Sequence, residues 1–537
     1  MQISLLDAKH PTYDAKTWGE YDALYRGGKA FRHCIGEFLR QNPAEPGPTY
    51  DARKHEARYV NYSGHIVDFY AGKLTTSPPV VRAKSVATGT DVEPDAFYAA
   101  WKEDVDGGGT DLVDFVRERF VSASVKGRSW WLVEMPDDDD RPAANLAEWE
   151  ERGLGMARLC SLENEQVLDW ETDETGRLEW AIVYHSESRR SRPTDSRSRI
   201  REVWRIYDRE YVETFSATHD PEKEQRPENA ASEGRRRHGF SSVPLVMLGF
   251  VGTRGLRVKL SHGERDMFGL HIGPRYAYLT AGALEGFWLM NRLAEPQIAH
   301  FRMGAALDWN IKRTCYAMPV FSLQDPSVDP PVMGAGYGIK LGKDETVTWA
   351  APPTSHLATV ADRVAALKDE IYRIANQLAQ GVDNNAAAVG RSADSKASDA
   401  AATDVTLQVY GALCREPIER TYELISDGRR ERDLAWSIEG LDSFNVIDAA
   451  SVLANALDAQ GLDIPSPTWR REVMARAAEA TLPGVDQATK NAIRKEIADG
   501  IAAEQTMRDV MAKTPLAADE PDGDEAPEGD DTPDAAE

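Results

Sequence analysis

Cysteine is scarce. The four present, Cys34, Cys160, Cys315 and Cys414, share no spacing that a metal site or a disulfide framework requires. They read as buried free thiols of a reducing compartment. Long apolar runs are missing too: the longest patch, Val243 to Val251, is interrupted by Pro244 and Gly249. That falls short of the roughly 18 residues a membrane helix needs. With no charged-then-apolar N-terminal signal, the chain reads as a soluble intracellular product. Catalytic signatures are equally absent. There is no G-x-S-x-G elbow, no H-E-x-x-H and no G-x-x-x-x-G-K-[ST] phosphate loop. The 11 histidines stand singly, and among 88 acidic residues a carboxylate pair cannot be argued from sequence. The expectation is no enzyme, no cofactor and no metal.

Positive charge is the scarcer sign, with 63 Lys and Arg against 88 Asp and Glu and a net charge of −25. Part of the excess sits in residues 514–537, where ten carboxylates run from Asp519 to Glu537 without one Lys or Arg. Laced with Pro, Gly and Ala, this stretch is expected to be disordered. The body is acidic as well. A protein that clamps DNA is normally basic, because phosphate neutralisation supplies most of the affinity. Any DNA contact here is therefore weak. The length of 537 residues allows several domains.

Residues from about Thr17 to Leu39 read as a helix, followed by a Pro-rich loop over Asn42 to Pro48. From Tyr50 the chain runs YDARKHEARYVNYSGHIVDFYAGKLTTSPP, in which Tyr59, Tyr62, Ile66, Phe69 and Tyr70 recur at helical spacing. Arg53, Lys54, Arg58 and Lys73 fall between them, Gly72 loosens the helix end, and Ser77-Pro78-Pro79 stops it. Helical patterns follow at Phe97–Trp101 and Leu112–Lys126, the second capped by Thr110 or Asp111. Ser129 to Pro136 reads as a buried strand, and Leu178 to His185 with Arg201 to Ser216 as antiparallel strands.

The second half changes character. A helix is expected over Pro274–Leu293, then a Pro- and Gly-rich loop-and-strand segment to Pro353. Leu357, Val360, Val364, Leu367, Ile371, Ile374 and Leu378 then alternate spacings of three and four, a seam of a and d positions. Alanines at 358, 361, 365 and 366 let a neighbouring backbone approach. A small polar stretch, Gly381 to Asp399, leads to a helix over Ala400–Ser426, kinked near Pro417. Three helices close the chain: Val446–Ala459, Thr468–Ala480 and Gln487–Ala512. No internal repeat is present.

Three of these features converge. The segment from Tyr50 resembles the N-terminal part of tailed-bacteriophage portal proteins, where a Y-x-x-R-x-x-x-A-x-Y-x-N helix leads into a G-K-L-x-x-x-P-P turn. Gly127, Trp130, Leu132, Val133 and Pro136 fit the family's G-x-x-W-x-L-V-x-x-P strand, and Arg391-Ser392-Ala393 with Ser395-Lys396 is common after its long helix. The resemblance covers most of the chain. It implies an α+β, mainly helical fold made of a portal-like wing, stem helices, clip, tunnel loop and helical crown. The wing is expected at 1–273, the first stem helix at 274–295, the clip at 296–353 and the second stem helix at 354–380. The tunnel loop follows at 381–399, a wing helix at 400–440, the crown at 441–513 and the acidic tail at 514–537.

By the same resemblance the protein forms a homo-oligomeric ring of about twelve subunits at one capsid vertex of the virion, and sits in the host cytoplasm during assembly. Its expected partners are double-stranded DNA in the channel, the terminase large subunit, a head-tail adaptor, and the major capsid and scaffolding proteins, with no membrane. The ring would pass DNA during packaging and ejection, dock the motor and nucleate head assembly. The seam Leu357 to Leu378 would face the neighbouring subunit. Asn384, Asn385, Arg391 and Lys396 would line the channel, and Lys340 and Lys343 its mouth. Each such exposed contact is worth no more than about 1 kcal/mol. Two other readings stay open: another head-tail structural component, or a cytosolic enzyme with a site in the α/β half.

Remaining signals have bland readings. Arg189, Arg190, Arg192, Arg197, Arg199 and Arg201 suggest phosphate binding, yet read as a solvated hairpin tip or a contact to a neighbour's acidic body. Arg235, Arg236 and Arg237 are discounted alike. Asp137 to Asp140 lacks the ligand alternation of a calcium loop. The Gly334, Gly336, Gly338 string lacks the following helix of a dinucleotide site.

Overall fold

The computed structural model describes residues 1–76, 78–136, 146–173, 177–189, 199–220, 225–250, 255–259, 276–280, 284–314, 318–322, 346–350, 355–375, 393–431, 433–442, 444, 453, 456–458, 466–482 and 487–513. It divides into two units, Met1–Phe444 and Asn445–Glu537.

The first unit is a mixed α+β fold, helical in larger part, with open sheets. Its N-terminal helices are Ala15–Arg26, Gly28–His33, Ile35–Phe38 and Gly47–Glu56, and then the tyrosine helix Tyr62–Leu74. The single helix expected from Thr17 to Leu39 is thus three, the first ending at Gly27. The helix expected from Tyr50 is two, parted at residues 57–61. The cause is a tertiary contact: the Tyr59 ring stacks on Phe31 at 3.9 Å, in a cluster separate from the one that buries Ile66 and Tyr70. Helix Leu112–Lys126 has the expected bounds. Asp111 caps it by accepting from the Asp114 N–H at 2.7 Å, and Gly127 ends it in the left-handed region at φ +83°.

Strand Arg128–Glu134 follows at once, buried along all but its last residue. That double-sided burial explains its unbroken apolar run. It lies between Leu245–Gly249 and Arg158–Leu162 in a three-stranded antiparallel sheet. The helical layer covers one face with Trp131 and Val133, while Trp130 and Leu132 pack on the other face against Trp170, Ala181 and Tyr207. Those three belong to a five-stranded antiparallel meander: Val167–Thr172, Leu178–Arg189, Arg199–Tyr207, Tyr211–His219 and Ala231–Arg237. A third sheet pairs Val80–Ser85 with Leu434–Glu439 and Asp91–Val92.

The second half departs from expectation at its start. Residues Tyr276–Thr280 form a strand paired with Gly255–Lys259, and the helix runs from Leu289 to Thr314 through Pro296. The helix expected over Pro274–Leu293 is therefore replaced by a strand and a later helix. Tyr276 and Tyr278 favour a strand, and Pro296, inside the third turn of the helix, removes one backbone bond there while the packing of Met290, Ala294 and Phe301 carries the helix through. Hairpin Met318–Ser322 with Thr346–Ala350 comes next, then helix Ser355–Ile374, then helix Ala393–Gly428, continuous through Pro417. The last begins seven residues before the expected Ala400, because the alanine-rich stretch carries no breaker. In the second unit, helices Pro467–Thr481 and Gln487–Lys513 pack together, with Arg470 and Glu504 3.6 Å apart. Of the helix expected at Val446–Ala459, most lies outside the described residues, as does 514–537.

Candidate functional site

Each residue of the Y-x-x-R-x-x-x-A-x-Y-x-N segment has a partner inside the chain. The Tyr50 hydroxyl donates to the Leu39 carbonyl at 2.7 Å. Arg53 forks onto Glu45 at 2.9 and 2.7 Å and reaches the Arg40 carbonyl at 2.8 Å, with both side chains of the ion pair about nine-tenths buried. Ala57 is buried, and the Tyr59 hydroxyl donates to the Leu24 carbonyl at 2.7 Å. Burial raises the Tyr59 pKa, so it stays a neutral donor. Asn61 begins the tyrosine helix: its Oδ1 accepts from the Gly64 N–H at 2.8 Å and its Nδ2 donates to the Tyr25 carbonyl at 2.6 Å. A Cβ at Gly64 would lie 2.5 Å from that same carbonyl, so the two helices meet there at a distance only glycine permits.

The fully buried Gln297 was not singled out in the sequence. Its Oε1 accepts from the N–H groups of Tyr62 and Ser63, both at 3.2 Å, and its Nε2 donates to the Val60 carbonyl at 2.8 Å. Two of the four orphan donors of the tyrosine helix are thereby satisfied from helix Leu289–Thr314. Arg302, one turn further, donates to the Phe38 carbonyl at 2.7 Å, and Phe301 meets Phe31 edge-on at 4.8 Å. A Gln directly after Pro296 is the only trace of this in sequence, and nothing about it names its partners.

The seam helix divides in two. Leu367 and Ile371 are both buried, and Ile371 lies in the same core cluster as Leu289, Leu293 and Tyr410. Tyr70 from the tyrosine helix donates to the Ala375 carbonyl at its end, and burial pushes the Tyr70 pKa up to about 12. Leu367 and Ile371 are thus covered within the chain itself, where an oligomer-facing role was expected of them. Their spacing matched because a seam looks the same whether its partner is another chain or another helix of its own. Leu357, Val360, Val364 and Ile374 are half-buried, Ala358, Ala361, Ala365 and Ala366 are exposed, and Leu378 lies outside the described residues.

Of the channel residues, Lys396 sits on helix Ala393–Gly428 rather than in a loop. Asn384, Asn385, Arg391, Lys340 and Lys343 lie outside the described residues, as do Asp137 to Asp140 and the Gly334 to Gly338 string. Of the arginine cluster, Arg189, Arg199 and Arg201 lie on strands, and Arg201 pairs with Glu233 at 2.6 Å. Arg235 pairs with Asp208 at 2.7 Å on an exposed edge strand. Cys414 is buried, whereas Cys34 and Cys160 are half-buried; burial raises the pKa of Cys160 and Cys414 to about 12. Among the described residues no three metal-ligating side chains converge, and no helix is long and apolar enough to cross a membrane.

No family model matches the chain, and no curated protein matches it. Solved structures are similar to it, among them two from gene transfer agent particles. One is the virion of a native gene transfer agent particle, with TM-score 0.37, 10% identity, and coverage of 85% of this chain and 99% of that one. The other is the neck of an empty gene transfer agent particle computed with C6 symmetry, with TM-score 0.38, 11% identity, and coverage of 83% and 98%. The expectation of about twelve subunits is corrected by the sixfold symmetry of that neck. Neither the number nor the partner set attached to it is retained.

Proposed function

We propose that the chain is a non-enzymatic structural component of the head-to-tail region of a phage-like particle. The observation that supports this reading is the order of elements in its second half. Helix Leu289–Thr314, a hairpin, helix Ser355–Ile374 and helix Ala393–Gly428 follow one another behind a mixed α+β N-terminal part. That order is what a stem-and-clip part needs, since two helices packed on one another hold an inserted hairpin away from the body.

The finer reading is a portal, whose ring gives the genome its passage. It is favoured by the first half of the seam helix, where Leu357, Val360 and Val364 are half-buried beside a run of exposed alanines. A ring-forming helix carries this kind of surface. In this reading the two hairpin-flanking helices are the stem, the hairpin belongs to the clip, and the helices from Pro467 to Lys513 belong to the crown. Asn384, Asn385, Arg391, Lys396, Lys340 and Lys343 then line the passage.

Negative-stain imaging of the purified chain, with native mass spectrometry on the same sample, tests both readings. Closed rings with an axial hole of about 20 Å or more are expected of a portal. A solid dimer or tetramer would remove the portal reading. Failure to copurify with head or tail parts from a particle-producing lysate would remove the coarser one.

A further inference from the structure

Helix Ala15–Arg26, the tyrosine helix and helix Leu112–Lys126 enclose a cavity of about 580 Å³ that opens to solvent beside Asp68, Gly72 and Glu118. Its wall is rich in charge, and three of its four cations have a bonded carboxylate. Arg26 meets Asp22 at 2.9 Å, Arg117 meets Asp114 at 2.8 Å, and the Tyr25 hydroxyl donates to Asp68 at 2.9 Å. Lys126 reaches Glu163 at 2.7 Å and Glu165 at 3.0 Å.

Arg119 is the cation of this wall with no hydrogen-bonded carboxylate among the described residues. Its side chain is 11% exposed, and its Nε is buried without a hydrogen-bond partner among the described residues. The carboxylate within 4 Å is Glu118, at 3.9 Å and 62% exposed, too far for a hydrogen bond. The ring of Phe115 lies 5.7 Å from the guanidinium. Burial lowers its pKa, against the raising effect of Glu163 and Glu118. A buried charge without a bonded partner is costly. A guanidinium also offers a planar donor fork shaped for a carboxylate.

We propose that Arg119 anchors a binding site for one carboxylate, supplied by an acidic side chain of a partner protein that inserts into this cavity. The charge balance sets the class. The wall carries as many carboxylates (Asp22, Asp68, Glu118, Glu163) as cations (Arg26, Arg117, Arg119, Lys126), so one guanidinium fork can take one carboxylate, whereas a phosphate dianion or a nucleic acid would be repelled. It also sets the source. The rim carboxylates of Asp68 and Glu118 repel a free acid, whereas a side chain held by the rest of an interface arrives at high effective concentration. This inference does not depend on the particle reading.

The test uses the full chain and fluorescein-labelled poly-L-glutamate, followed by anisotropy at fixed ionic strength, with free glutamate and inorganic phosphate as competitors. Wild type is expected to bind the peptide. Arg119→Met should weaken binding at least about tenfold, while Arg117→Gln, removing a cation paired elsewhere, should change it less than about twofold. Gly72→Leu is the second variant. Its Cβ would meet nothing within 4 Å, so the side chain narrows the cavity without disturbing the fold. It should weaken binding with an unchanged unfolding midpoint, and it keeps the test alive if Arg119→Met does not fold. Equal binding by wild type and Arg119→Met (or by wild type and Gly72→Leu) would overturn the site, as would no binding at all. Phosphate competing better than glutamate would overturn the carboxylate assignment. Free glutamate matching the peptide residue for residue would overturn the protein source.

Discussion

The tyrosine helix and the seam helix were both read from spacings of three and four, yet the chain leaves them in different conditions. The tyrosine helix is enclosed: Asn61 and Gln297 satisfy its first turn, Ile66 and Tyr70 fill the core, and Gly64 meets the Tyr25 carbonyl. The seam helix is enclosed over its last turns only, by Leu367 and Ile371, and presents half-buried Leu357, Val360 and Val364 over its first. Apolar periodicity reports that a face is covered; it does not report by what. The motif residues, singled out for function, are consumed by architecture. Apolar surface that the described residues leave half-covered lies where the seam runs beyond its own core.

Substitution inside the covered half should break this contrast most severely. Ile371→Asp places a carboxylate in a dry core and should destabilise the monomer by more than about 3 kcal/mol. Val360→Asp, on the half-buried stretch, should cost less than about 1 kcal/mol in the monomer while shifting the mass distribution of any assembly. Urea unfolding and native mass spectrometry read the two effects. Similar unfolding losses for both would show that the helix is covered along its whole length.

A middle-sized effect is expected at the junction of the tyrosine helix. Gln297→Leu removes the partner of two N–H groups and one carbonyl, of which the Ser63 N–H is fully buried, and should cost about 2 kcal/mol. Asn61→Ala, which removes a cap, should cost about 1 kcal/mol. Urea midpoints in that order support Gln297 as the main clamp; the reverse order would transfer the role to Asn61.

The smallest effect concerns acid. Burial alone would raise the Glu163 pKa, but the hydrogen bond and charge of Lys126, with Arg119, hold it below 4.5. A depressed carboxylate stabilises the fold above its unfolded value and loses that contribution as pH falls through the folded one. The lost stability therefore appears below pH 4.5, and Lys126→Met should flatten it. Urea midpoints taken from about pH 6 down to about pH 3 decide this. Equal slopes in the two proteins would deny the coupling.

What could be read in advance follows the same division. Helix Leu112–Lys126 was legible to its ends because Asp111 and Gly127 mark them locally. The strand at Arg128–Glu134 was legible from an apolar run too short for a helix and rich in Trp and Val. The break at residues 57–61 was not, since it depends on Phe31 drawing Tyr59 out of helical register with Tyr62, a contact across 28 positions. Pro296 misled because a local rule, that proline stops helices, lost to the packing of Met290, Ala294 and Phe301 on either side of it. The Gln297 clamp and the Arg119 cavity were invisible because each is assembled from segments far apart in the chain.

The helix of 26 residues from Leu289 to Thr314 has a mechanical consequence. Such a rod is about 39 Å long. Gln297, Phe301 and Arg302 pin its first half to the N-terminal helices, and Lys312 near its far end pairs with Glu56 of helix Gly47–Glu56. It is therefore a strut fastened at both ends rather than a free arm. A load applied at its C-terminal end is shared between the exposed Lys312–Glu56 pair and the three hydrogen bonds of Gln297, of which the buried Gln297 set is the stiffer.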